Sequence, residues 1–261
     1  MKKIMAILNL TPDSFYPGSR LLDSDGRFDE ADFVARVEKS LEQGADIIDL
    51  GACSTRPGSR PVEQEEEWAR LQPALAIWRE HFREVPLSVD TFRADVALRC
   101  AEYSDRLIVN DVAAGDERML SAVVSMGCGY VAMHHDTLSE QASAVEQVSA
   151  WYAEFERQAE AAGLRDWWFD PGFGFGKTLR QNWTILRNLE KLPHHRPILV
   201  GLSRKRMFYN LLAPLPAGGP TDAPPAPASR PETLLLTRLA HRLALSCGAS
   251  IFRVHDPARV F

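Results

Sequence analysis

Eight short apolar segments of this chain run into residues with polar side chains, and the most distinctive of these ends carries Asp170. The acid closes the run Trp167–Asp170, and a Pro-Gly pair with three alternating glycines follows it. Glycine lets a backbone lie close to a flat ligand. The glycine spacing differs from that of the phosphate-binding loop and from the dinucleotide pattern G-x-G-x-x-G. Alone, the segment fits a glycine-rich turn behind a capping Asp as well as it fits a ligand site.

The other apolar segments end in a similar way. Their ends carry Asn9, Asp49, Asp90 with Thr91, Asn110 with Asp111, Met133 with His134 and His135, Gly201 with Ser203, Arg204 and Lys205, and Arg253 with His255 and Asp256. A single polar end is usually a helix cap or a turn residue. Polar residues at all the ends favour one shared site.

These residue types indicate recognition of a polar heterocycle and of an anion. Asp90, Asn110 and Asp170 could hydrogen-bond an amide-like or guanidine-like ring edge. The residues that could hold an anion, together with a Mg²⁺ ion, are Asn9, Arg56, Arg253 and His255.

Strands alternate with helical patterns along the chain, which favours an α/β fold. Strands are predicted at residues 4–9, 47–51, 87–90, 107–111, 130–134, 167–170, 198–201 and 251–255. Helices are predicted at residues 28–43, 63–82, 94–101, 118–125, 138–162, 179–189 and 232–247, and a short one begins near residue 205. Eight strands in this order predict a (β/α)8 TIM barrel in one domain, with a doubly wound open sheet as the alternative.

Local signals support these bounds. Asp29 and Ser139 are predicted N-caps. Gly44, Gly127, Gly163 and Gly248 each follow a helix, where a left-handed residue belongs. In a barrel the C-terminal strand ends share one mouth, so we expect the polar ends to meet there.

Composition excludes several classes of function. The 261 residues carry a net charge of -5 and are 45% hydrophobic, which is ordinary for a globular domain and disfavours a nucleic-acid or anionic-membrane partner. The apolar start of the chain is too short for a signal peptide and reads as a first strand. No segment has the length of a membrane span, so we predict a cytoplasmic protein.

Cysteine and histidine offer little chemistry of their own. Four separated cysteines without a C-x-x-C pair indicate reduced thiols rather than a disulfide or zinc framework. The sequence contains no recognisable Ser-His-Asp or Cys-His motif. Cys53, in the loop after the second strand, is a weak candidate for a nucleophile. The pair His194-His195 is predicted to lie in a turn.

Two regions depart from the regular alternation. Residues 213–231 are rich in Pro, Ala and Gly and are predicted to form an extended, mobile loop. After the eighth strand the chain ends where an eighth helix would begin. We therefore expect a barrel without its final helix, either truncated or covered there by a neighbouring subunit.

The motifs resemble those of dihydropteroate synthases, the folate-pathway enzymes targeted by sulfonamides. The matching segments lie at residues 7–15, 44–51, 54–58, 88–91, 109–112, 170–178, 201–205 and 253–256, in the family's order and over nearly the whole chain. The chain departs from the family at Ala52 and Cys53, which replace a common Gly-Glu, and in the length of residues 213–231.

The resemblance implies condensation of 6-hydroxymethyl-7,8-dihydropterin pyrophosphate with p-aminobenzoate, giving 7,8-dihydropteroate and pyrophosphate. It implies a Mg²⁺ cofactor, an SN1-like loss of pyrophosphate and a homodimer. We further expect loops 11–20 and 54–60 to close over the site. The alternatives are a pterin-binding methyltransferase domain and a pterin-binding paralogue without catalysis.

The resemblance also implies a role for each residue of the site. The pterin would contact Asp90, Asn110, Met133, Asp170, Phe175, Gly201 and Lys205. The pyrophosphate would contact Asn9, Thr55, Arg56, Arg253 and His255, with Asn9 also on the metal. The p-aminobenzoate would contact Phe15, Pro57, Phe175 and Ser203. Arg56, Lys205, Arg253 and His255 would act in catalysis.

Overall fold

Eight parallel strands form the centre of the molecule in the computed structural model, which describes residues 2–10, 28–53, 62–212 and 231–261. The strands are β1 Lys3–Asn9, β2 Ile47–Gly51, β3 Leu87–Asp90, β4 Leu107–Asp111, β5 Gly129–Met133, β6 Trp167–Asp170, β7 Leu199–Val200 and β8 Ile251–Val254. The helices are α1 Glu30–Glu42, α2 Gln64–His81, α3 Ala94–Cys100, α4 Glu117–Met126, α5 Ala144–Ala162, α6 Leu179–Arg187, α7 Arg206–Leu212 and α8 Pro231–Ser246.

The sheet closes into a barrel, as the sequence predicts. The hydrogen-bonded strand order runs from β6 down to β1 and then through β8 to β7. A parallel bridge between Phe169 and Ile198 joins β6 to the residue that precedes β7. The open-sheet alternative is therefore wrong, because every strand has a neighbour on both sides.

Side chains inside the barrel form two layers. Seven strands contribute one residue each to an apolar layer made of Met5, Ile47, Ile108, Val131, Trp168, Leu199 and Ile251. The outward-facing residues of the strands join two larger clusters with the surrounding helices, around Phe33 and Trp78 on one side and Tyr152 and Phe252 on the other. The apolar layer supports the residues that lie nearer the mouth.

Most predicted bounds agree with the structure to within two residues, and the start of α5 is the main exception. We predicted that helix from residue 138 with Ser139 as its cap, but it begins at Ala144 and Ser143 caps it. The backbone of Ser139 instead bonds the side chain of Gln147, and the amide of Leu138 donates to Gly176 O at 3.2 Å. A contact with a distant loop thus overrides the local helical pattern.

Other cap predictions are confirmed. Asp29 accepts a hydrogen bond from Asp32 N at the start of α1. Gly44, Gly127, Gly163 and Gly248 all have positive φ. Strand β8 ends at Val254, one residue before His255, and β7 is limited to two residues.

A short turn follows β8, at the place where a barrel wall would continue into one more helix. Residues Pro257–Arg259 form one turn of 3-10 helix, and the Phe261 ring packs edge-on against Phe252 at 5.0 Å. Predicted loop residues 213–230 lie outside the described part of the chain, and Pro231 begins α8. Among the described helices, none is long and apolar enough to cross a membrane.

Candidate active site

The predicted site residues occupy a layer two positions beyond the apolar layer. Side chains alternate across a strand, so residues two apart face the same side. The pairs are Ile47 with Asp49, Ile108 with Asn110, Val131 with Met133, Trp168 with Asp170, Leu199 with Gly201 and Ile251 with Arg253. The strand register places Asn9 beside Gly51, Gly51 beside Asp90 and Asp90 beside Asn110. The structure therefore brings these residues together at one mouth.

Arg253 links two acids at the centre of this layer. Its Nη2 lies 2.6 Å from Asp49 Oδ2 and 2.7 Å from Asp90 Oδ2, and its Nε donates to Asp49 at 2.8 Å. Asp49 is fully buried and also accepts from Ser88 Oγ at 2.5 Å and from Asn110 Nδ2 at 3.4 Å. One partly exposed cation thus serves two carboxylates, which leaves this cluster with one acid more than it has cations.

This arrangement affects the protonation of Asp90. Burial raises the pKa of Asp90 to about 7; Arg253 lowers this pKa and Asp49 raises it. Desolvation penalises the ionised form, and Arg253 is already shared with Asp49. A ligand that brings N–H donors would compensate this acid.

Asp170 is a third buried acid at the mouth. Its Oδ1 accepts from Gly172 N at 2.7 Å, and its Oδ2 lies close to Gly201, 3.9 Å from where a Cβ would stand. Burial raises the pKa of Asp170, while the Gly172 amide and the charge of Lys205 lower it. A side chain at position 201 would crowd the free side of this acid.

Lys205 and Phe175 lie together near Asp170. Lys205 Nζ lies 4.3 Å from the centroid of the Phe175 ring, a cation–π contact. A Cβ at Gly174 would lie 3.2 Å from Lys205 Cδ, so the glycine leaves room for this lysine. Met133 is buried at the end of β5 and pairs in register with Asp170.

Ser203 and His255 meet on the other side of the mouth. Ser203 Oγ accepts a hydrogen bond from His255 N at 3.3 Å and lies 3.1 Å from His255 Nδ1. Arg204, beside Ser203, has φ 57°, a left-handed conformation that costs a residue other than glycine on the order of 1 kcal/mol. The hydroxyl of Tyr209 donates to Arg204 O at 2.9 Å and holds this turn.

Three comparisons with known proteins bear on this site. The model of the pterin binding enzyme family matches residues 5–255. The chain belongs to this family. A dihydropteroate synthase of Clostridium beijerinckii is 38% identical over 211 residues, covering 78% of this chain and 75% of the relative. One from Neisseria meningitidis serogroup C is 36% identical over 270 residues, covering 97% and 87%.

Solved structures of the family agree with the fold. The dihydropteroate synthase of Clostridium difficile, determined in the presence of pteroic acid, superposes with a TM-score of 0.83 at 32% identity, covering 99% of this chain and 92% of that one. The Burkholderia cenocepacia dihydropteroate synthase complexed with 7,8-dihydropteroate has a TM-score of 0.77 at 29% identity, covering 100% and 88%. The resemblance, the barrel and the prediction of a transferase are confirmed.

Four residues of the predicted pterin-family site lie outside the described residues. These are Phe15, Thr55, Arg56 and Pro57. The two loops expected to close over the mouth, residues 11–20 and 54–60, fall there as well. Their roles stay predictions.

Sequence reasoning placed Asp49 among the polar strand ends without giving it a role, and it gave no role to Ser88 or Lys177. Asp49 carried a usable signal, because an acid within the run Ile47–Gly51 must be buried and therefore paired. By contrast, Asp111 and His134 face away from the barrel interior. Asp111 accepts from the Tyr130 hydroxyl at 2.8 Å, so it stabilises a turn rather than a ligand.

Cys53 is a poor nucleophile in this setting. Burial raises the pKa of its thiol, and the nearby Glu67 raises it further, while Arg93 lowers it. A thiol with a raised pKa carries little thiolate at neutral pH. The weak alternative of a cysteine nucleophile is therefore disfavoured. All four cysteines are free.

Two oxygen atoms at the mouth, from Asn9 and Asp90, are of the type that binds Mg²⁺. Within residues 2–10, 28–53, 62–212 and 231–261, no three His, Cys, Asp or Glu groups are clustered to hold an ion. Asn9 Oδ1 and Asp90 Oδ2 lie on the same side of Gly51, 3.6 and 3.8 Å from where its Cβ would stand. Mg²⁺ is commonly held by one or two such oxygens together with substrate phosphates and water.

The pKa of Asp90 predicts a pH dependence of stability. An acid whose folded-state pKa lies above its unfolded value stabilises the fold at low pH, and this stability is lost as pH rises through the folded pKa. The free energy of unfolding in urea, without ligand, should fall between about pH 4 and pH 7. Asp90→Asn should make that slope shallower; an unchanged slope would show that Asp90 ionises near its ordinary pKa.

Removing the charge of Asp49 should lower activity, because Asp49 holds the guanidinium of Arg253 in place. Asp49→Asn leaves Arg253 with one acid and frees the guanidinium to move, so kcat/KM should fall on the order of tenfold or more. The matched control is Asp46→Asn, since Asp46 accepts from Ile4 N at the opposite end of the same barrel strand. Equal activity losses in the two variants would contradict a specific role for Asp49.

Proposed function

We propose that the chain condenses 6-hydroxymethyl-7,8-dihydropterin pyrophosphate with p-aminobenzoate, giving 7,8-dihydropteroate and pyrophosphate. The observation that carries the proposal is the set of buried acids around Arg253 at the barrel mouth, in a chain whose relatives are dihydropteroate synthases. Related structures contain the matching ligands. A Xanthomonas albilineans neighbour, 32% identical with a TM-score of 0.81, is complexed with 4-aminobenzoic acid.

The acids supply what the pterin edge requires. A pterin presents an amino group and ring N–H groups on one edge, and Asp170, Asp90 and Asn110 carry acceptors for them. Asp170 and Asn110 are buried, and burial raises the pKa of both Asp90 and Asp170. Donors from the ring would replace the water that these groups lack. Lys205 would donate to the carbonyl side of the ring.

The same acids favour departure of the pyrophosphate. The aromatic amine is already a nucleophile, so the difficult step is breaking the bond between carbon and pyrophosphate oxygen. Positive charge develops on the pterin as this bond lengthens, and fixed carboxylates in a low-dielectric pocket stabilise it. This supports an SN1-like route, in which the amine attacks after substantial bond breaking.

Cationic and hydrogen-bonding groups at the mouth would hold the leaving group. His255 stands beside Ser203, and Asn9 beside Asp90. The guanidinium of Arg253 is bound to Asp49 and Asp90, two partners that the sequence did not indicate. We propose that Arg253 orients the two acids and also contacts the pyrophosphate. Mg²⁺, held by Asn9 and the pyrophosphate oxygens, would neutralise charge on the leaving group.

Pyrophosphate release separates this function from its alternatives. We expect release from the pterin ester to require both p-aminobenzoate and Mg²⁺, measured with a coupled phosphate assay. A methyltransferase domain or a binding paralogue would bind the pterin ester and release nothing. We choose Arg253→Lys as the site variant because it keeps the positive charge, whereas Arg253→Ala would leave Asp49 and Asp90 unpaired. The turnover of Arg253→Lys should fall strongly, since a lysine cannot reproduce the bonds of the guanidinium to both acids.

We also infer a homodimer that uses the outer face of α7 and α8. Leu211, Leu235 and Leu239 are each more than half exposed there, at 51%, 56% and 51%. Leu235 and Leu239 are one helical turn apart and therefore share a face. The resemblance implies that a second copy of the chain covers this face.

We also propose that the protein is cytoplasmic. Its four free thiols are consistent with a reducing compartment.

A charge on this face should separate the dimer. Leu239→Glu is expected to give a monomer in sedimentation equilibrium at concentrations where the unmodified chain is dimeric. Leu98→Glu on α3 is the matched control, since Leu98 is also exposed, at 42%. A dimer that survives Leu239→Glu would place the interface elsewhere.

A further inference from the structure

Lys177 makes an unusually complete set of contacts beside the pterin pocket. Its Nζ donates to the carbonyl oxygens of His134, Gly172 and Phe175 at 3.1, 3.0 and 3.0 Å. It also lies 2.9 Å from His134 Nδ1. These four groups share the three N–H donors of one ammonium, and they come from two separate segments, the end of β5 and the loop after β6. A single ammonium group therefore joins these segments.

The charge resides on the lysine of this pair. An ammonium group has no acceptor, so His134 Nδ1 must be the unprotonated nitrogen of a neutral ring. Burial, followed by the charge of Lys177, lowers the pKa of His134 to about 4. Burial also lowers the pKa of Lys177, to about 8, against the attraction of Asp170. Near neutral pH the pair thus holds a proton on Lys177.

The glycines of the loop bring these carbonyl groups close together. A Cβ at Gly172 would lie 1.8 Å from His134 O, and one at Gly176 would lie 2.5 Å from Asp136 O. The loop backbone therefore packs directly on the chain that follows β5. Carbonyl oxygens that converge in this way repel one another, and the ammonium of Lys177 supplies the opposite charge.

Gly172 and Phe175 connect Lys177 to the ligand pocket. Gly172 accepts from Lys177 through its oxygen and donates to Asp170 Oδ1 through its nitrogen at 2.7 Å. Phe175 accepts from Lys177 through its oxygen, while its ring lies under Lys205. On the outer side, Asn182 accepts from Gly174 N at 2.7 Å and donates to Lys177 O. The loop is thus held from the inside by a charge and from the outside by an amide.

We propose that Lys177 is a positioning residue for pterin binding, whose ammonium group fixes Asp170 and Phe175 through the carbonyl groups of Gly172 and Phe175. It does not contact the reacting atoms. Its charge also favours the ionised form of Asp170, the form that accepts N–H donors from the ring. The role rests on the proposed function, since the pterin ester is the ligand whose affinity it sets.

Chemical rescue tests the need for an ammonium group at this point. Lys177→Ala removes the side chain beyond Cβ and leaves a space that n-propylammonium can fill. Lys177→Met fills the space without a charge. Both variants should bind the pterin pyrophosphate ester more weakly, by up to about a hundredfold, in calorimetric titrations. Added n-propylammonium should restore affinity in Lys177→Ala and leave Lys177→Met unchanged.

Controls separate this proposal from a general loss of structure and from the proposed function. Lys191→Met changes an exposed lysine that donates to Asn188 Oδ1, and the affinity of this variant should match that of the unmodified chain. Lys177→Gln retains donors but carries no charge, and it replaces Lys177→Ala if that variant does not fold. It should bind the ester as weakly as Lys177→Met.

An unmodified chain that does not bind the ester would refute the proposed function. Normal affinity in Lys177→Met, or no rescue of Lys177→Ala, would refute the positioning role alone.

Discussion

The shared cation of Arg253 is the constraint on which the barrel interior depends. Three charged groups are withdrawn from water at the centre of the sheet, and each would be costly if left unpaired. Asp49 on β2 and Asp90 on β3 can both reach the guanidinium of β8 only when these strands hold their register around β1. Ser88 and Asn110 complete the hydrogen bonding of Asp49. The polar layer therefore specifies the strand arrangement as well as the site.

The charges at the barrel mouth divide it into a part that suits the pterin ring and a part that suits an anion. Asp90 and Asp170 offer acceptors where the ring would lie, and Asp90 shares its cation with Asp49, so the pocket favours a ligand that offers donors and can carry positive charge. Groups that can bind an anion stand nearer the rim, including His255 beside Ser203. A substrate with a pterin ring at one end and a pyrophosphate at the other fits this gradient, because bond breaking sends positive charge inward and negative charge outward.

The loop after β6 brings several backbone carbonyl groups close together. Its carbonyl groups must face one another for Asp170 and Phe175 to be presented together, and backbone oxygens alone would repel. Glycine permits the close approach, with φ values of 69°, 82° and 56° at positions 172, 174 and 176. Lys177 supplies the charge that makes the approach favourable. The motif around Asp170 thus combines a ligand contact with its own internal support.

The sequence by itself determined the barrel, the family and most of the residues at the mouth. Alternation of strands and helices indicates the fold, and the period of two along each strand places Asn110, Asp170 and Arg253 above the apolar layer. It could not locate the start of α5, since Leu138 is held by Gly176 rather than by its neighbours. Nor could it decide the partners of Arg253, which lie 163 and 204 residues away in the chain. Only the tertiary structure gives Asp49 and Lys177 their roles and pairs Asp90 with Arg253, because these charges are paired across strands and loops that the local pattern does not connect.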